Sequence, residues 1–235
     1  MSHLLGGRVV HAQPAQGHRT GVEPVLLAAF VPAQPGERVL EGGSGAGAGL
    51  LCLRARVAVT GLGVEIDPAL AALATANAAS NGFNGLSFVA ADLTEGVEGV
   101  FDHAMANPPW HAPGTESPDQ AKERAKRAGE GVLAAWARAL ARPLRHRGTL
   151  TWVIAADHVP PALAAFTAAG CGSLTLLPLW PRAGRPAKLV LIQGVKGGRG
   201  PFRLLPGLVL HGPDGYTAEA KAILRDGAAI TEGPP

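Results

Sequence analysis

Asn107, Pro108, Pro109 and Trp110 stand in a row directly after an apolar run, residues 101–106, of the kind that forms a buried strand. The Asn107 side-chain oxygen and the Pro108 backbone carbonyl can both accept hydrogen bonds from a planar amino group, which orients the nitrogen and makes it more electron-rich. The two prolines hold the local backbone, so these acceptors stay aimed. Trp110 offers an aromatic face for stacking a flat base, a contact worth about 1–3 kcal/mol in nucleic-acid complexes. The corner therefore suits chemistry at an amide-like or amidine-like nitrogen, at a strand end, where open α/β sheets place their ligands.

A second cluster, Glu41-Gly42-Gly43-Ser44-Gly45-Ala46-Gly47, follows another apolar run and opens a helical stretch. Its glycines let the chain turn sharply and let a ligand approach the backbone without Cβ interference. Glycine spacing alone fits both a nicotinamide dinucleotide and another adenosine-bearing cofactor. Glu41 favours the second, because a carboxylate at that strand end repels a pyrophosphate and attracts an amino or sulfonium cation. Glu65 ends the next strand candidate, beside Ile66, where an acid can accept from both ribose hydroxyls. Asp92 follows the third and can accept from an adenine amine.

The elements that must position these residues are legible as periodicity. Residues 38–40, 61–66, 86–89, 101–106, 149–154, 174–177 and 189–195 read as seven strands alternating with helical stretches, which predicts an α/β fold: a Rossmann-like, mostly parallel seven-stranded sheet with helices on both faces. Asp67 and Pro68 are a helix cap and first helical residue, and Asn81-Gly82 closes that helix. Leu133, Trp136 and Leu140 recur at helical spacing before Pro143, which makes Trp136 a core residue. Three segments result: an N-terminal arm and helix (1–32), a catalytic core (33–199) and a tail packed on the core (200–235), together one domain.

The 235 residues carry a net charge of +3, compatible with a polyanionic partner but far from a basic tail. Cys52 and Cys171 are too few and too far apart for a zinc cluster or disulfide framework, so no metal is expected and both are assigned to the interior. No leader pattern and no long apolar stretch is present, which predicts a cytoplasmic protein with no membrane contact.

Taken together, the acid-led glycine loop, the two acidic strand ends and the Asn-Pro-Pro-Trp corner resemble the class I S-adenosylmethionine-dependent methyltransferases. That resemblance implies S-adenosylmethionine as cofactor, with Glu41, Gly43, Ser44, Gly45 and Gly47 at its methionine and ribose parts, Glu65 and Ile66 at the ribose, Asp92 at the adenine edge and Asn107 beside the reacting centre. The corner is similar to that of methyltransferases acting on adenine amino groups or on glutamine amides. Gly6-Gly7-Arg8, Gln13-Pro14, Gly17-His18-Arg19 and Val25-Leu26-Leu27-Ala28-Ala29 resemble the N-terminal arm of the bacterial tRNA (adenine-N6)-methyltransferases acting on valine tRNA. So do Leu177-Pro178-Leu179-Trp180-Pro181, Arg185-Pro186-Ala187-Lys188 and Tyr216-Thr217 in the last third. Where that arm commonly has Gly-Thr-Asp, this chain has Gly21-Val22-Glu23, and Trp110 stands where Tyr or Phe is common.

The resemblance implies N6 methylation of an adenine in structured RNA, with tRNA as the expected substrate. Protein glutamine N5-methylation, N-methylation of a small aromatic amine and a noncatalytic cofactor-binding RNA factor are the alternatives. His18 and Arg19 are candidates for phosphate contact or for covering the cofactor. Arg182, Arg185, Lys188, Lys196, Arg199 and Arg203 cluster in sequence and are expected as one basic stripe beside the catalytic mouth, ordinary surface charge being the alternative.

Overall fold

The computed structural model describes residues 2–14, 20–109 and 120–231. An N-terminal hairpin, β1 (Ser2–Leu4) and β2 (Val9–His11), precedes helix α1 (Glu23–Phe30). Strands and helices then alternate as β3 (Arg38–Gly42), α2 (Ala48–Arg56), β4 (Thr60–Glu65), α3 (Pro68–Ser80), β5 (Leu86–Ala90), β6 (Phe101–Ala106), α4 (Gln120–Ala141), β7 (Leu144–Ala155) and α5 (Val159–Ala168). A closing hairpin of β8 (Cys171–Arg182) and β9 (Leu189–Lys196) follows. The tail supplies β10 (Arg203–Leu204), β11 (Leu208–Gly212), β12 (Gly215–Tyr216) and α6 (Ala218–Asp226).

The main sheet runs β12-β11-β8-β9-β7-β6-β3-β4-β5, with β10 beside β8. β5, β4, β3, β6 and β7 are parallel to one another, and β9 is antiparallel to both of its neighbours. The chain winds outward from β3 to β5 and then returns to the other side of β3 as β6. That reversal is a topological switch point, with a crevice at the carboxyl ends of the two strands.

Consecutive strand residues serve opposite faces, as a buried parallel sheet requires. Val39, Met105, Val153 and Leu191 join the cluster beneath α1, α2 and α6, while Leu40, Ala104, Trp152 and Ile192 join the cluster beneath α4 and α5. Trp152 meets Phe166 of α5 edge to face, ring centroids 4.9 Å apart. Cys52 and Cys171 are both buried in these clusters. The Asp67 side chain accepts from Ala69 N–H at 2.8 Å, so the expected cap forms, and Gly82 turns the chain at φ 67°.

The seven expected strands are β3 to β9, several of them longer than their apolar runs. The tail, expected to pack on the core, also extends the sheet: β11 pairs in parallel with β8, and Leu208, Ala220 and Ile223 are fully buried. Its glycines and prolines mask a short alternating strand and an amphipathic helix, whose apolar side chains cover the outer strands. The two flanks also bind each other. The Arg8 guanidinium donates to the carbonyls of Asp226 and Ala55, and Ile230 N–H donates to the Ala29 carbonyl at 2.8 Å. No helix among the described residues is long and apolar enough to cross a membrane.

Candidate active site at the carboxyl edge of the sheet

Four neighbouring strands end in a row. Gly42 pairs with both Ala106 and Val64, and Glu65 pairs with Ala90, so Asn107, Gly43, Glu65 and Ala91 emerge side by side. They line one cleft of about 510 Å³ together with Val64, Ile66, Asp92, Leu93, Thr94, Pro109 and Trp136. That volume lies within the range of small-molecule and cofactor sites.

The glycine loop crosses the floor of this edge. Gly43 and Ser44 donate backbone N–H groups to the Val64 carbonyl at 2.8 and 3.2 Å, which ties the loop to the end of β4. Gly43, Gly45 and Gly47 all have positive φ, from 53° to 89°, a conformation that side chains with a Cβ rarely adopt. Gly45 N–H donates to Glu65 Oε2 at 2.8 Å, and Asp67 N–H to Glu65 Oε1 at 3.0 Å. Each carboxylate oxygen keeps lone-pair capacity, so Glu65 is held in one orientation while still able to accept from a ligand hydroxyl.

Beyond Glu65 the wall changes character. Ile66 is 72% exposed, an unusual position for a large apolar side chain, and with Leu93 it gives the cleft apolar walls. Asp92 stands at the rim, where its hydrogen bonds from Thr94 hold its carboxyl below the usual carboxylate range. Only Oδ1 is engaged by Thr94. Two carboxylates, apolar walls and open glycine backbone fit an adenosine-bearing cation better than a pyrophosphate.

Several expected contacts are arranged differently. Glu41 does not line the cleft. It is 4% exposed and turned beneath α2, where it accepts from Leu50 N–H at 3.0 Å. Burial, reinforced by the nearby Glu65 charge, pushes its carboxyl up to about 8. A strand residue two positions from the cleft-facing Gly43 presents its side chain to one face of the sheet, under the helix, and so cannot reach a cation at the strand tips. Ser44, Gly45 and Gly47 also lie outside the cleft lining. Ser44 Oγ is buried towards Gly63, and Gly47 packs by Phe88 as the left-handed residue before α2. The loop thus builds and orients the site more than it lines it.

Trp136 departs from its expected core role. It is half-buried, packing on the apolar cluster beneath α4 while also forming a wall of the cleft. Its ring comes within 2.7 Å of where a Cβ on Gly43 would sit. Helical spacing finds the inward face of α4 but not which inward residue reaches the strand tips, so the sequence carried no signal for this role. Thr94 and Leu93 were missed for the same reason.

Asn107 is exposed at the cleft, Pro108 is buried, and Pro109 faces the cleft beside Asn107. Trp110, His18 and Arg19 lie outside the described residues. The expected basic stripe is divided. Ala156 N–H, just past β7, donates to the Lys188 carbonyl at 2.9 Å, which puts the turn carrying Arg185 and Lys188 at the carboxyl edge. Lys196 is at the opposite edge, its ammonium donating to the carbonyls of Arg142 and Leu144. Arg203 lies beside Thr175, at 3.1 Å, in the amino half of β8. β9 runs between the two groups, so neighbours in sequence stand at opposite ends of the sheet.

The sheet order, the switch-point crevice and the glycine loop define a Rossmann-like class I methyltransferase fold. The chain belongs to the methyltransferase small domain family, whose model matches residues 22–158. A tRNA1(Val) (adenine(37)-N6)-methyltransferase of Yersinia enterocolitica is 31% identical over 117 residues, 47% of each chain. The enzyme of the same name from Actinobacillus succinogenes is 27% identical over 146 residues, 60% of this chain and 62% of its own length. The matched stretches thus span only about half to three-fifths of these relatives. Among solved structures, a predicted O-methyltransferase from Agrobacterium tumefaciens superposes with a TM-score of 0.74 at 22% identity, covering 88% of this chain and 98% of its own. A TehB-like S-adenosylmethionine-dependent methyltransferase from Corynebacterium glutamicum gives 0.52 at 16% identity over 75% and 89%. At these identities both likenesses concern the fold.

Proposed function

We propose that this protein transfers the methyl group of S-adenosylmethionine to N6 of an adenine in structured RNA, with tRNA as the substrate class. The observation that carries the reading is the emergence of Asn107 and Gly43 from adjacent strands into one cleft that also holds Glu65 and Asp92. Glu65 would hold the ribose, Ile66 and Leu93 would flank the adenine, Asp92 would accept from its amine, and Gly43 would admit the methionine part. Bound there, the cofactor supplies an electrophilic methyl on a sulfonium.

Methyl transfer to nitrogen is an in-line displacement, so the protein's task is to aim a lone pair and exclude water. Asn107 and the Pro108 carbonyl accept from the target amino group, which points its nitrogen at the cleft. Trp110, next after Pro109 in sequence, is assigned the stacking of the target base, which must leave its own stack to reach it. The names of the two curated relatives support adenine in tRNA as the acceptor. A basic net charge supports an RNA partner, and so does the position of the turn carrying Arg185 and Lys188 at the carboxyl edge, where the two cations would meet phosphates.

The test is transfer of labelled methyl from S-adenosylmethionine to RNA, protein and metabolite fractions from cells lacking the gene, followed by nucleoside mass spectrometry. Label in N6-methyladenosine of tRNA is expected. Label only in a protein amide or a small amine would replace the acceptor, and cofactor binding without any acceptor would leave a noncatalytic factor.

A further inference from the structure

At the amino edge of the sheet, opposite the cleft, His146, Arg147, Gly197, Gly198 and Arg199 line an open concavity of about 480 Å³. Two adjoining segments build it. Arg147 sits in the bend within β7 at φ 67°, and Gly197 turns the chain after β9 at φ 69°. The His146 ring packs against Gly197, 2.7 Å from where a Cβ would stand, which holds the two segments together. Arg147 and Arg199 are exposed, and among the described residues no carboxylate lines the concavity. On the same edge, Asp102 and Glu37 are both engaged by Arg145, and Glu37 also by His103 at 2.8 Å, so these two acids are tied to partners of their own.

We infer that this concavity is a second RNA-backbone contact, remote from the catalytic cleft, in which Arg147 and Arg199 meet phosphates. The inference rests on the RNA reading above and adds a second footprint to it. β9 separates this site from the Arg185 and Lys188 turn by eight residues, about 26 Å at strand rise. A short oligonucleotide reaches one end; a folded RNA presents phosphates over that distance and can engage both. Charge without a counter-carboxylate, in a concave site, favours a polyanion over a protein surface of mixed charge.

The experiment compares the full chain with an Arg147→Gly/Arg199→Gln double variant. Glycine accepts the left-handed φ at 147, so the variant should melt no lower than the parent. Binding of a valine tRNA transcript and of an unrelated structured RNA is measured against salt. Loss of two phosphate contacts should weaken both RNAs several-fold and reduce the slope of log K against log salt by about 1.4–1.8, with methyl transfer at saturating RNA unchanged. An unchanged slope on both RNAs overturns the inference, as does tight binding of inorganic phosphate alone to the parent and not the variant, which would make this a small-anion site. Salt-sensitive RNA binding lost in the variant, in a parent that methylates no RNA, overturns the acceptor and keeps the contact.

Discussion

Gly43 and Asn107 leave neighbouring strands at the same level, because the residues before them, Gly42 and Ala106, are paired across β3 and β6. The loop that would carry the methyl donor and the amide that would orient the acceptor are thereby set by one register. A slip of that register would displace one against the other and turn the strand's side chains to the wrong face.

If Asn107 orients the acceptor, Asn107→Ala should lower turnover on the order of 100-fold, the scale on which misplacing a reacting group acts. Cofactor affinity by calorimetry should stay close to that of the parent, because Glu65, Asp92 and the glycine loop are untouched. Turnover near the parent value would remove Asn107 from the mechanism.

Gly43 and Trp136 are predicted to be coupled. Gly43→Ala faces both a left-handed φ and the Trp136 ring, and should cost about 2–4 kcal/mol in urea unfolding. In a Trp136→Leu background the same change should cost about 1–2 kcal/mol less, since only the backbone strain remains. Equal costs in both backgrounds would mean that Trp136 does not exclude a side chain at 43.

Glu41 gives the fold a pH dependence. Its carboxyl titrates at about 8 in the folded protein and near 4.5 when unfolded. Its stabilising contribution is complete below the unfolded value. Between 4.5 and 8 the unfolded chain binds less proton than the folded one, so this contribution declines by at most about 1.4 kcal/mol per pH unit, and levels off above 8. Glu41→Gln imitates the protonated acid and keeps the acceptor for Leu50 N–H, so the melting temperature of the variant should rise relative to the parent from pH 5 to pH 8. A pH-independent difference would show that Glu41 is charged in the fold.

Asn77 joins three parts of the molecule. Its side chain accepts from Ala12 N–H at 2.8 Å and donates to the carbonyls of Ala12 and Ala46 at 3.0 and 2.9 Å, tying the N-terminal hairpin to the glycine loop. Asn77→Ala strands these backbone groups and should cost on the order of 2–3 kcal/mol. Amide exchange should quicken first at Ala12, whose N–H donates to Asn77, and less at Val10, whose N–H is held by Asn81 Oδ1. Loss of global stability with the Ala12 amide still protected would contradict this tether.

Periodicity and turn chemistry sufficed for the seven core strands, the Asp67 cap, the glycine loop and the corner at Asn107, because strand alternation, helix capping and left-handed glycines are local properties. The same local signals assigned no strand or helix in the tail, where glycines and prolines hid a strand that forms only by adding to β8, and they placed Trp136 wholly in the core. They could not show that Glu41 turns beneath α2 while Glu65 faces the cleft, since both are acids at strand ends and only packing decides which face each meets. Nor could they divide the basic run of 182–203. Side-chain chemistry is written residue by residue, but which residues share a cleft depends on strand order and register, and those are set by burial across the whole sheet.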